Sequence, residues 1–157
     1  MDKKLKNEAE VKAQIIMNYY QSKNYELAIA NAKKLLKKFP NYVFLFNIIG
    51  LSLQAKKKLD ESINYFNKAL QINPNYFFAL NNIGLSYRLM GNDEEAQIYF
   101  EKAIERYPKF ATAISNLANI KKDLNLIDEA IKLYEKALKL DNNLFLTHYN
   151  LALIYQS

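Results

Sequence analysis

Residues 77–110 read FFALNNIGLSYRLMGNDEEAQIYFEKAIERYPKF. Leu80, Ile83, Gly84 and Tyr87 recur at three- and four-residue spacing, which places them on one stripe of a helix. Gly91-Asn92-Asp93 breaks that pattern as a turn. A second stripe follows in Ala96, Tyr99, Phe100, Ala103 and Ile104. Pro108 predicts the end of this second helix, because proline does not fit a helix interior. Small residues at Gly84, Ala96 and Ala103 predict close approach of the two backbones, with Leu80, Tyr87 and Phe100 filling the remaining space. Neither helix can bury its stripe alone.

Working outward, the same pattern recurs. Pro40, Pro74 and Pro108 lie 34 residues apart, and so do Gly50 and Gly84, Ala69, Ala103 and Ala137, and the aromatics Phe66, Phe100 and Tyr134. A fixed period of this length predicts stacked helical units rather than one globular core. The acidic pairs Asp60-Glu61, Glu94-Glu95 and Asp128-Glu129 keep the same period. They fall where second helices start, and negative charge there complements the helix dipole.

Composition agrees. The chain has 157 residues, half of them hydrophobic, with three glycines and three prolines. Such scarcity favours an all-helical protein. The absence of cysteine excludes a disulfide framework, Cys–His nucleophilic chemistry and thiolate zinc sites. The most apolar run, Val43 to Leu53, is about half the ~20 residues that span a bilayer, and Asn47 and Ser52 interrupt it. No apolar stretch follows the N-terminus as a secretory signal requires. The expectation is a soluble, cytoplasmic protein without membrane insertion. The net charge is +6, from 22 basic and 16 acidic residues. Lys33, Lys34, Lys37 and Lys38 cluster, as do Lys56, Lys57 and Lys58, while Asp128 with Lys132 and Glu135 with Lys139 stand at ion-pair spacing. The charge reads as solvated outer faces rather than a nucleic-acid footprint.

These residues resemble the tetratricopeptide repeat family, whose pattern has large, Leu-Gly and Tyr positions in a first helix and Ala, aromatic, Ala and Pro positions later. Residues 43–76 supply Phe46, Ile49, Gly50, Leu53, Ser62, Phe66, Ala69 and Pro74, and residues 77–110 fit more closely. Residues 111–144 supply Ile114, Leu117, Ala118, Ala130, Tyr134 and Ala137, but depart at Lys121 and Asn142. A weaker unit covers about 9–42, with Tyr19, Ala28 and Pro40, while Lys12 and Ala32 stand where large residues are usual. Residues 145–157 look like a half repeat or capping helix with Leu151, Ala152 and Tyr155 in register. The resemblance implies a single right-handed α-solenoid of antiparallel helix pairs over 1–157.

In this family the first helix of each unit lines the concave face, and ligand-facing side chains come mainly from its positions 2, 5, 6, 9, 12 and 13. Carried over, the resemblance assigns peptide binding to Phe44, Asn47, Leu51, Phe78, Asn81, Asn82, Leu85, Arg88, Asn116, Asn119, Lys122 and Asn150. Asn82, Asn116 and Asn150 share position 6, with Gln14 before them and Ile48 breaking the series. Their amides offer donor and acceptor to a peptide backbone, a use similar to the asparagine ladder of O-linked GlcNAc transferases. Phe44, Leu51, Phe78, Leu85 and Leu146 make the face apolar. Burying all five contributes about 10 kcal/mol at roughly 2 each, against an association cost of about 4–15 kcal/mol. Arg88 and Lys122 share position 12 and suit a carboxylate. The carboxylate clamp of chaperone-binding members is not matched: Ala13, Met17, Thr112 and Asn116 stand at its places.

Nothing in the chain points to catalysis. The one histidine, His148, occupies position 4, ordinarily a core position, and no Gly-rich phosphate loop exists. No cofactor or metal is expected. The function read from the sequence is a protein–protein interaction scaffold for an extended peptide or protein segment. One alternative is a self-associating module, a homo-oligomer. Another is the substrate-positioning region of a larger transferase-type enzyme, as the family resemblance allows. RNA binding through the lysine clusters is the weakest reading.

Overall fold

The computed structural model describes residues 3–156, with side chains from Asn7 onward. Among these residues the chain forms nine α-helices and no strand: α1 (Lys3–Gln21), α2 (Tyr25–Leu36), α3 (Val43–Ala55), α4 (Leu59–Ile72), α5 (Phe77–Leu89), α6 (Asp93–Arg106), α7 (Ala111–Asp123), α8 (Ile127–Leu140) and α9 (Phe145–Gln156). From α3 onward the odd-numbered helices begin at 34-residue intervals, and so do all the even-numbered ones. Each helix packs chiefly on its neighbours in sequence, with further contact of α1 on α3 and α3 on α5. The result is an all-helical solenoid.

The predicted close approach is present. Gly50 on α3 and Gly84 on α5 are buried against the rings of Phe66 on α4 and Phe100 on α6. A β-carbon added at Gly50 would come within 2.4 Å of the Phe66 ring, and one at Gly84 within 2.8 Å of the Phe100 ring. In the next pair Ala118 takes the glycine's place and Tyr134 the phenylalanine's, and both are fully buried. Ala28, Ala69, Ala96, Ala103, Ala130 and Ala137 are fully buried on the second helices.

Each turn within a pair has the same backbone. Lys23, Lys57, Gly91 and Asn125, at 34-residue spacing, are all left-handed, with φ between 60° and 83°. The N–H of Lys57 donates to the Gln54 carbonyl, and that of Lys58 to the Leu53 carbonyl, and the other three turns repeat both bonds. This is a Schellman cap, which satisfies the last carbonyls of a helix. Glycine suits such a φ best, yet the sequence signals it at Gly91 alone.

The joints between pairs differ more. α4 and α6 end two residues before Pro74 and Pro108, and the intervening Asn73 and Tyr107 are extended, as a residue preceding proline must be. Asp141 adopts the same conformation before Asn142. There the Asp141 carboxylate accepts the Asn143 N–H at 3.0 Å, as Asn73 accepts the Asn75 N–H at 3.0 Å. The Asx turn is thus common to both joints, and at Asp141 it accompanies the extended residue with no proline following. At Lys121 the departure from tyrosine is absorbed by a half-buried stem whose ammonium lies 3.5 Å from Glu129.

Two expectations fail. Asp128–Lys132 and Glu135–Lys139 form no ion pair; Glu129 meets Lys121 instead, and Glu135 accepts the Tyr155 hydroxyl at 3.2 Å. His148 is exposed rather than in the core, and its Nε2 lies 3.0 Å from the Asn142 carbonyl. Position 4 is a core position only where a second helix covers it, and none follows α9 among the described residues.

Gly50→Ala is expected to destabilise the fold by about 1–3 kcal/mol, the usual result of overpacking a filled core. Combining it with Phe66→Leu should recover part of that loss. Urea midpoints of the single and double variants check both statements.

Candidate peptide-binding face

The odd-numbered helices lie side by side, and their asparagines bond across the gaps. Asn116 Nδ2 donates to Asn81 Oδ1 at 3.0 Å, Asn81 Nδ2 to Asn82 Oδ1 at 3.4 Å, and Asn82 Nδ2 to Asn47 Oδ1 at 2.9 Å. Four amides on α7, α5 and α3 thus form one directed chain, a geometry in which each bond polarises the next. Asn150 on α9 donates to Asn119 Oδ1 at 2.8 Å, and the Tyr134 hydroxyl donates to the same oxygen at 2.6 Å. Asn47 and Asn81 are buried; Asn82, Asn116, Asn119 and Asn150 are half-buried. The six predicted asparagines are thus brought together as two hydrogen-bonded groups, with their first commitment to one another. Each of Asn82, Asn116 and Asn150 still has a second amide hydrogen.

The predicted apolar residues separate. Phe44 packs against the core formed with α1 and α2, Leu51 against the α4–α5 core and Leu85 against the α6–α7 core, all half-buried. Phe78 is exposed, with its ring 5.6 Å from Tyr76 and 5.4 Å from Phe110. Leu146 is 77% exposed.

Arg88 and Lys122 converge, but on an acid. Arg88 Nη2 lies 2.5 Å from Asp123 Oδ2 and its Nε 4.0 Å from Asp93, while Lys122 Nζ lies 3.7 Å from Asp123 Oδ1. Two cations and two carboxylates leave no net charge there. Asp93 and Asp123 were not among the expected site residues.

A buried polar cluster under this face was also missed. Gln54 Nε2 donates to the Asn82 carbonyl at 3.0 Å and to Ser86 Oγ at 2.8 Å, and Ser86 lies 3.0 Å from Ser62 Oγ. Ser62 spends its one hydrogen on the Leu59 carbonyl at 2.6 Å, so Ser86 donates to Ser62. Farther along, the Ser115 and Thr147 hydroxyls lie 2.7 Å apart. A signal did exist. Asn47–Asn82, Asn81–Asn116 and Arg88–Asp123 are all separated by 35 residues, and Gln54–Ser86 and Ser115–Thr147 by 32. Each offset is the repeat length plus one or minus two, the spacing that brings adjacent first helices together.

Tetratricopeptide repeat models match residues 14–42 and 43–109, and a TPR repeat model matches residues 118–157. The chain belongs to the tetratricopeptide repeat (TPR) family. No curated protein matches its sequence. Among solved structures, MamA is similar at 25% identity and TM-score 0.72, covering 85% of this chain and 78% of MamA. The pilF protein of Pseudomonas aeruginosa is similar at 22% identity and TM-score 0.84, covering 94% of this chain and 68% of pilF. The first TPR of Spaghetti (RPAP3), solved bound to the HSP90 peptide SRMEEVD, is similar at 23% identity and TM-score 0.67, covering 73% of this chain and 90% of that one. These last two likenesses concern the fold.

As a TPR chain, this one is a protein-interaction scaffold. Among the described residues no helix is long and apolar enough to cross a membrane, and no group of three His, Cys, Asp or Glu side chains is placed to hold a metal. Two hollows, of 370 and 400 Å³, flank α1 and α2, away from the amide chain.

Two tyrosines report on the packing. Burial, with the Asp123 charge second, pushes the Tyr134 hydroxyl up to about 12, and burial, with Tyr42 second, does the same for Tyr76, against an ordinary 10.0. Unfolded tyrosines ionise first, so the stability these two give is full below pH 10 and is lost as pH rises towards 12. Urea midpoints should therefore fall across that window. The fall should be shallower for Tyr76→Phe and for Tyr134→Phe when each variant is normalised to its own midpoint at pH 8.

Proposed function

We propose that the surface built by the odd-numbered helices binds an extended peptide or protein segment in a concave groove. The observation that carries this reading is the line of amides running from Asn47 to Asn116, continued by Asn119 and Asn150 and flanked by Phe44, Leu51, Phe78 and Leu85. Interhelix bonds fix these amides in orientation, so their remaining donors meet a ligand backbone at little entropic cost. An extended strand presents one carbonyl and one N–H per residue, which suits donors held at helix-to-helix intervals.

The exposures alter the energetics. Phe44, Leu51 and Leu85 are already half-buried, so the apolar gain falls to about half the ~10 kcal/mol of full burial. Amide contacts must supply the rest, and affinity sits in the micromolar range or weaker. Arg88 and Lys122 flank the groove as a neutral cluster with Asp93 and Asp123, which favours an uncharged segment over an acidic tail. The chain acts in this reading as one domain, with pairs at about 9–42, 43–76, 77–110 and 111–144 and a half unit at 145–157. It binds rather than catalyses, and works in the cytoplasm. The RPAP3 neighbour, solved with a peptide bound, supports peptide capture in general.

The test is selection from a random peptide library followed by calorimetry. Phe78→Ala, at an exposed ring, is expected to weaken a selected peptide about fivefold or more, as loss of an interface anchor does. Asn82→Ala with Asn116→Ala should weaken it further, with helical content checked by circular dichroism. Unchanged affinity in all these variants would reject the groove.

A further inference from the structure

Between α2 and α4 lies a hollow of 310 Å³. Lys33 on α2, Lys37 at its C-cap and Lys68 on α4 stand around it, all exposed. Leu36, Phe46 and Tyr65 line it as half-buried groups. Among the described residues no acid lines the hollow. The lysines that form ion pairs there are Lys12, Lys38, Lys56, Lys58, Lys121 and Lys122, none of them at this site. The Lys33 and Lys68 ammonium groups lie 5.8 and 4.5 Å from the centre of the Tyr65 ring. Three positive charges thus border one hollow with no carboxylate to balance them.

The repeat shows that folding does not require these charges. One period on, Asn67, Gln71 and Lys102 take the places of Lys33, Lys37 and Lys68; two periods on, Glu101, Glu105 and Lys136 do. Three cations become one, and then one cation against two acids, at positions with the same place in the helix pair. Phe46 differs as well. Leu80 and Ile114 share its repeat position and are buried, whereas Phe46 is half-buried at the hollow.

We propose that this hollow binds an acidic protein segment, one that sets an apolar side chain between carboxylates. The apolar side chain lies on Leu36 and Phe46, and the carboxylates meet the three ammonium groups. Charge complementarity selects an anion. The volume stands at the lower end of the range of about 300–1,000 Å³ for ligand sites, which suits one side chain with its flanking backbone. Tyr65 argues against a nucleic acid: its ring already holds two lysines, whereas base stacking needs an open ring face. A membrane surface fits less well, since interfacial binding sinks an apolar face into the bilayer and the apolar groups here are half-buried among exposed lysines. The site is independent of the groove reading. Its residues come from the second helices and a core position of α3, none of them along the amides.

The test is fluorescence anisotropy on the full chain with a short labelled peptide of glutamates flanking one phenylalanine. Binding should saturate and weaken as salt is raised. Lys33→Glu with Lys37→Glu should weaken it about tenfold or more, as charge reversal at an interface does. Lys132→Glu with Lys139→Glu, at exposed positions on α8, lowers the net charge by the same amount. With screening over about 8 Å at physiological salt, this control should change the affinity by no more than about twofold. A glutamate peptide without the phenylalanine should bind about fivefold more weakly, for want of apolar burial. Lys33→Gln with Lys37→Gln gives a second disruption should the reversed variant lose helical content. Absence of saturable binding, equal loss in both charge-reversed variants, or indifference to the phenylalanine overturns the proposal. So does a uridine oligonucleotide or a phosphatidylserine vesicle that binds through Lys33 and Lys37 where the peptide does not. Loss of the acidic peptide in Phe78→Ala would place it in the groove, and overturns the proposal too.

Discussion

The contact between a residue without a bulky side chain on one helix and an aromatic ring on the next is the constraint on which the other features depend. Gly50 against Phe66, Gly84 against Phe100 and Ala118 against Tyr134 set the distance between paired helices. In the first pair the sizes are reversed, with Ile16 on α1 and Ala32 on α2 both buried in one core, and in all four pairs a left-handed residue, Lys23, Lys57, Gly91 or Asn125, turns the chain back within a few residues. Three of these four positions are not glycine. Asparagine tolerates this conformation at Asn125, whereas at Lys23 and Lys57 the packing on either side holds a backbone that local preference disfavours, at a cost of about 1–2 kcal/mol per residue.

Between pairs the chemistry changes. Aromatic and alanine contacts close each pair, whereas hydroxyls and amides join neighbouring first helices. Gln54, Ser62 and Ser86 form a buried set, and the asparagines form a chain above it. Among the described residues no buried side-chain nitrogen or oxygen lacks a partner. Leaving one unpaired costs about 1–3 kcal/mol, so such a set specifies register in a way apolar contacts alone do not. The same asparagines that lock the solenoid also present spare donors, and the scaffold and the proposed binding surface are to that extent built from one set of side chains.

Much of this was legible. Helix pairs, turns and buried small residues followed from spacing, because a helix stripe and a 34-residue period are one-dimensional patterns. The asparagines were picked out by repeat position, but their partners were not. Reading Asn82 and Asn116 as equivalent positions aligns them with each other, whereas Asn82 bonds Asn47 and Asn116 bonds Asn81. Side chains of adjacent helices meet with a shift of one residue beyond the period, and an alignment of equivalent positions conceals that shift. Asp123 escaped notice for the same reason: it sits one position beyond Lys122, and its closest charge is Arg88 on the preceding first helix. His148 shows the limit differently, since its repeat position implies a core that requires a covering helix.

The sequence by itself determined the helix pairs, their period and the family, since these depend on which residues recur at which spacing. Only the tertiary structure decided what the polar residues do. Whether an amide faces a ligand or a neighbouring helix depends on the offset and angle between packed helices, which no single helix encodes. The half exposure of Phe46 is set in the same way: its repeat position is buried at Leu80 and Ile114, and the difference follows from the elements that surround it.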